Sequence, residues 1–247
     1  MARGQWEPHP ARFPNMRGLV DDLHRQGFKV VVWLAWPEVF DDARVPEEFL
    51  VGGGKWRNRH GRRFTDYSAP ATRERYLKPL MRRLFSPEAV CCDLDGFKTD
   101  FQADKIHPEM PLADAAWRGE ENYLRRLTEL FWRELRRHKS DGMHIGCAGH
   151  FWLAPWIDIN RTYDVGSSDY REHEERGLML KHTAPGCPVS YDIFNHVETL
   201  EDYAASARRH GAAVEIGNVF YIKDHQFADI RPADAAYYER LRAALRG

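Results

Sequence analysis

The sequence predicts an α/β fold of the (β/α)8 barrel type, read as one catalytic barrel domain over residues 1–247 and truncated at its N-terminus. Three observations predict it. Short apolar segments alternate with amphipathic ones, the order of a parallel sheet wrapped in helices. The run FKVVVWLAW (28–36) is apolar without alternation, as in a strand covered on both faces. A length of 247 residues suits a single barrel of about 250.

The elements follow in order. NMRGLVDDLHRQG (15–27) carries Met16, Leu19, Val20 and Leu23 at helical spacing and stops at Gly27. The apolar strand 28–36 comes next. Residues 71–86, ATRERYLKPLMRRLFS, predict a helix with Pro79 as a flaw. AVCCDLDGFKTDF (89–101) reads as a strand, 116–139 as a long amphipathic helix, and GMHIGCAG (142–149) and WIDINR (156–161) as strands. HEERGLMLKHTA is helical, PVSYDIF a strand, TLEDYAASARRHG a helix, AAVEIGNVFY a strand, and PADAAYYERLRAALRG the closing helix. That makes six strands where a closed barrel has eight. The long segment 41–64, with Gly52, Gly53 and Gly54 in a row, reads as a flexible lid.

Composition narrows the function. Thirty-six basic and 37 acidic residues leave a net charge of −1, which argues against nucleic acid and against an anionic membrane surface as partners. The basic run KWRNRHGRRF (55–64) has no aromatic ladder beside it and reads as a solvated loop. No apolar run reaches a membrane span, and MARGQWEPHP lacks the apolar core of a signal peptide. Cys91, Cys92, Cys147 and Cys187 match no zinc spacing. Adjacent Cys91 and Cys92 on a strand would point to opposite faces. Free buried thiols suit a reducing, cytoplasmic setting. Oligomeric state is not legible.

The chemistry concentrates in CCDLDGFKTDF (91–101). If Val90–Asp95 is a barrel strand, Lys98 and Asp100 emerge at the C-terminal rim, where barrel enzymes carry their sites. Residues two apart on extended chain face the same way. The lysine would keep Asp100 ionised, as a carboxylate nucleophile requires; a surface salt bridge at a strand end is the bland alternative. A second constellation, DINRTYDVGSSDY (158–170), offers Arg161, Asp164 and Asp169 after another apolar strand. A retaining glycosidase needs a second carboxyl about 5–5.5 Å from its nucleophile. Trp33 and Trp36 end the first strand and could form an aromatic wall for a sugar; His150, Trp152 and Asp192 are weaker rim candidates, and His173 reads as part of a solvated helix face.

Three segments resemble the α-glucosidase and α-galactosidase clan of barrel glycoside hydrolases. WEPHPARFPNMRGLVDDLHRQGFKVVVWLAWPEV (6–39) is similar to the segment leading into that clan's third strand. DGFKTDF is similar to its nucleophile strand, and NRTYDV to its acid/base segment. The resemblance implies that the six strands are the third to the eighth. It makes Asp100 the nucleophile, Lys98 and Arg161 binders of sugar hydroxyls, and Asp164 the acid/base. Asp169 stays a second candidate for that role, and otherwise a substrate-binding residue. The chain has no counterpart of the second-strand acid that binds a sugar hydroxyl in the clan. The expected function is retaining α-glycoside hydrolysis of a terminal α-linked sugar, with a carbohydrate as partner and no cofactor or metal. Two rivals stand beside it: an inactive homologue or fragment that binds carbohydrate without cleaving it, and a metal-dependent hydrolase using Asp95, Asp100, His150 and Asp192.

Overall fold

The computed structural model describes residues 4, 6–41, 43–100, 107–147, 150–163, 170–192, 199–215, 222–223, 226–227 and 232–246. The chain falls into two compact units, one of residues 1–148 with 155–157 and one of residues 149–154 with 158–247.

In the first unit, α1 (Met16–Arg25) begins where the Asn15 side chain accepts the Gly18 N–H at 2.9 Å and has His24 and Arg25 at its negative end. β1 (Val31–Leu34) follows. β2 (Glu38–Val39) and β3 (Arg63–Phe64) make an antiparallel hairpin. α2 (Pro70–Thr72), a π turn (Arg73–Leu77) and α3 (Lys78–Phe85) form one helical stretch. The flaw at Pro79 is absorbed there: proline donates no N–H and its ring crowds the carbonyl four residues back, and the wider π turn before it relieves both. β4 (Gly96–Thr99), α4 (Glu120–His138) and β5 (Met143–Gly146) complete the unit. β1, β4 and β5 run parallel, with Val31 opposite Gly96, Trp33 opposite Lys98 and Gly96 opposite Met143.

α4 buries Tyr123, Leu124, Leu127, Thr128, Phe131, Glu134 and Leu135, a stripe at three- and four-residue spacing. Phe131 stacks on Trp36 with centroids 3.5 Å apart, and Phe97 meets Trp36 edge-on. Helix and sheet are joined by these rings.

In the second unit, β6 (Ile159–Arg161), β7 (Val189–Tyr191) and β8 (Ala213–Val214) are parallel neighbours in that order. α5 (Arg171–Thr183) and α6 (Leu200–Arg209) connect them, β9 (Ile222–Lys223) pairs with β10 (Gln226–Phe227), and α7 (Pro232–Arg246) closes the chain. Leu180, Val189, Tyr191, Leu200, Tyr203, Ala204, Ala207 and Leu241 form its core. Among the described residues no helix is long and apolar enough to cross a membrane.

Three expectations change. The strand expected from 89 begins at Gly96; Val90 is 85% exposed, and Cys91 and Cys92 are buried in the turn before the strand rather than on its two faces. β1 is not covered on both faces. Among the described residues β4 is its one neighbour in the sheet, Trp33 is 40% exposed, and Leu34 alone of its residues is fully buried. The segment 41–64, read as a flexible lid, has a small apolar core of its own, in which Ala43, Val45, Phe49 and Leu50 pack with Val39.

Candidate active site

The motif CCDLDGFKTDF spans two ends of one short strand. Asp93 and Asp95 precede β4, and Asp100 follows it. At the entry end Asp95 accepts from His24 Nε2 (2.7 Å), Lys29 Nζ (3.1 Å) and the Val30 N–H (2.8 Å). Burial pushes its carboxyl up, but these donors outweigh it and hold the group below its ordinary value. Asp93 lies 2.5 Å from Lys139 Nζ and 3.7 Å from Arg17. Asp21, His24 and Asp93 come close enough to share a cation, but Arg17 and Lys139 already neutralise those carboxylates. Asp95 is committed to this network, away from Asp100, which removes it from the metal-dependent alternative.

At the exit end, Lys98 and Asp100 lie two apart on extended chain and face the same way. Trp33, opposite Lys98 in the ladder, shares their face and donates its indole N–H to Asp100 Oδ2 at 2.9 Å. The Asp100 N–H donates to the Leu34 carbonyl at 3.3 Å, which carries the β1–β4 ladder past the end of β4. Asp100 is 8% exposed. Between Lys98 and Asp100, Thr99 points the other way, and its hydroxyl lies 3.0 Å from His144 Nε2. His144 is fixed in turn by donating Nδ1–H to the Trp156 carbonyl at 2.6 Å. The strand end carrying Asp100 is thus held by a buried polar pair beneath it. The structure brings together Trp33, Lys98 and Asp100. Trp36 it places elsewhere, 1% exposed among Phe97 and Phe131, so a sugar-facing wall would rest on Trp33.

The second unit has its own cluster at the C-terminal ends of three parallel strands. Arg161 ends β6, Asp192 follows β7 and Glu215 follows β8. The Arg161 guanidinium pairs with Asp192, and its Nε lies 2.9 Å from Glu215 Oε1. Arg161 is 1% exposed, so one buried cation is matched by carboxylates that follow the next two strands, β7 and β8. The Asp192 N–H donates to Thr162 Oγ1 at 3.0 Å, and that oxygen lies 2.8 Å from His173 Nδ1. His173, read as part of a solvated helix face, is buried and stacks on Tyr191. Burial, the largest influence, drives its pKa down to about 4. Tyr163 sits in left-handed backbone at φ 72, a costly conformation for a bulky residue, immediately before Asp164. Asp164 and Asp169 lie outside the described residues. His150 and Trp152 stack on each other, centroids 5.0 Å apart.

Sequence reasoning missed Glu215, Thr99 and His144. Glu215 left a signal, a single acid inside the apolar run AAVEIG. Thr99 and His144 left none, because their pairing depends on the register of β4 against β5.

The sequence model of the glycosyl hydrolases family 31 TIM-barrel domain matches residues 1–131, more than half of the chain. The chain belongs to glycosyl hydrolase family 31. Its resemblance to barrel glycoside hydrolases thus holds, and the parallel βα units above are those of a TIM-barrel domain. No curated protein matches it. Among solved structures it is similar to an uncharacterized protein of Listeria monocytogenes EGD-e, with 14% identity, a TM-score of 0.65, and 94% of this chain and 24% of that one covered. It is also similar to the cycloalternan-forming enzyme of Listeria monocytogenes in complex with a pentasaccharide substrate, with 14% identity, TM-score 0.63, and 94% and 24% covered. A noncanonic maltogenic α-amylase of Thermotoga neapolitana follows, with 13% identity, TM-score 0.58, and 95% and 59% covered. At these identities the likeness is one of fold. The chain spans about a quarter of the first two proteins.

Proposed function

We propose that this family 31 domain is the catalytic part of a retaining α-glycoside hydrolase acting on a terminal α-linked sugar. The observation that carries the reading is Asp100, at the C-terminal end of a barrel strand, two residues after Lys98 and accepting the Trp33 N–H. Asp100 attacks the anomeric carbon while Asp164 gives its proton to the departing glycosidic oxygen. A glycosyl ester forms on Asp100. Asp164, now a carboxylate, takes a proton from water, which attacks the anomeric carbon and frees Asp100. Lys98 holds a sugar hydroxyl. Arg161, which the resemblance makes a binder of a sugar hydroxyl, is buried against Asp192 and Glu215. Asp169 stands as the second acid/base choice, and the Trp33 face stacks on the sugar.

The test is phenolate release from a panel of aryl α-glycosides by the chain and by Asp100→Asn. Release by the parent and not by the variant supports the reading and names the sugar. Equal release by both removes Asp100 from the chemistry. Sugar binding by calorimetry with no release would favour a carbohydrate-binding homologue instead.

A further inference from the structure

Several features of the first unit converge on the bond between Trp33 and Asp100. Trp33 is two-fifths exposed, so packing alone does not fix its ring, yet its N–H meets Asp100 at 2.9 Å. Trp6 adds a restraint on the ring. Its ring packs edge-on against Trp33, centroids 6.1 Å apart at 67°. Trp6 is buried and sits in left-handed backbone at φ 50, a conformation that costs free energy in a bulky residue and persists only when its surroundings impose it. They do so on both sides. The Gly4 carbonyl accepts the Tyr76 hydroxyl, and Glu7 pairs with Arg83 at 2.7 Å. Gly4, at φ 98, lies so close to Val39 that a Cβ there would come within 2.8 Å of a Val39 methyl. Gly4 and Glu7, on either side of Trp6, are therefore tied down, with the Trp6 ring packed against Trp33.

We propose that Trp33 is a positioning residue for Asp100: its indole N–H fixes the carboxylate, and Trp6, held through the contacts of Gly4 and Glu7, fixes the indole. The role rests on Asp100 as nucleophile. An attacking carboxylate must present one oxygen in line with the anomeric carbon, and misalignment is costly in rate. A donor on Oδ2 restrains the plane of the carboxylate. Indole suits this, since it donates only and does not titrate. Sugar stacking would use the ring face, whereas positioning uses the ring edge, so the two roles respond differently to substitution.

The test uses the full chain with its tryptophan indoles labelled with 15N, the Trp33 resonance being assigned by its loss in Trp33→Phe. Asp100→Asn should shift the Trp33 indole proton more than any other indole, because an amide oxygen is a weaker acceptor than a carboxylate. Trp6→Leu should move or broaden the same resonance. Neither readout needs substrate, so both stand whether or not the chain hydrolyses anything. Replacing Trp33 with benzothienylalanine keeps the ring and exchanges N–H for sulfur. On an aryl α-glycoside it should lower kcat about tenfold with KM nearly unchanged. An indole proton indifferent to Asp100→Asn overturns the proposal, as does a variant that raises KM and leaves kcat alone. If Asp100→Asn keeps full activity, the catalytic reading fails, and the indole shift still decides whether Trp33 holds Asp100.

Discussion

The two ends of β4 use the same residue type for different ends. At the entry, two aspartates are surrounded by His24, Lys29, Lys139 and Arg17. Such a network holds helix, strand and loop together at the face of a barrel that reads as stability. At the exit, Asp100 accepts a neutral indole N–H and shares its face with Lys98. A carboxylate saturated by cations is a poor nucleophile. The contrast teaches that an acidic cluster in sequence can divide at a strand into two ends with different partners.

The comparison can be broken most severely at Gly96, between the two ends. A Cβ there would meet the Met143 carbonyl oxygen at 2.0 Å, and a neighbouring strand cannot retreat as a flexible side chain can. Gly96→Ala should cost about 3 kcal/mol or more in denaturant unfolding and take both ends with it. Asp100→Asn should separate them: hydrolysis falls by about 10³-fold or more, while the thermal midpoint moves by less than about 2 °C. Asp95→Asn should do the reverse, costing about 1–3 kcal/mol by urea unfolding with activity per folded molecule retained. The folded Asp95 carboxyl is held below its ordinary value. Its stabilisation is therefore present above the unfolded value near 4 and is lost as pH falls through the folded value. The Asn variant should lose part of that acid slope.

His173 offers a second acid window, in the other unit. Its pKa of about 4 in the fold lies below the unfolded value, so the unfolded chain binds the extra proton as pH falls from about 6.5 toward 4. Stability should decline across that interval, and His173→Gln should flatten the decline in urea midpoints taken at each pH. The smallest effect belongs to Asp93, which sits at φ 59. Asn tolerates left-handed backbone and Ala does not, so Asp93→Ala should cost about 1 kcal/mol more than Asp93→Asn in matched melts.

Much of this was legible in the residues. Alternating apolar and amphipathic segments announced the parallel βα units, and α4 was plain from its stripe of apolar positions. Lys98 and Asp100 were legible as a pair because extended chain has a period of two. Strand limits were not. Val90, Cys91 and Cys92 look like strand residues, yet two of them are buried in a turn and one is exposed. Burial of apolar side chains does not distinguish strand from turn. His173 was misread because its helix neighbours are charged, and a helix wrapped in charge can still bury one polar face.

Local pattern determined the order of the elements, the helix boundaries at Asn15 and Gly27, and the chemical kind of each candidate group, since those follow from periodicity, capping and side-chain type within a few residues. Tertiary structure alone decided the partners. Trp33 meets Asp100 across 67 positions, and Asp95 meets His24 across 71. Trp6 meets Trp33 because Gly4 and Glu7 are tied to α3 and the π turn before it. Long-range hydrogen bonds depend on strand register and on the closure of long loops, and neither leaves a trace in the sequence around the residues it joins.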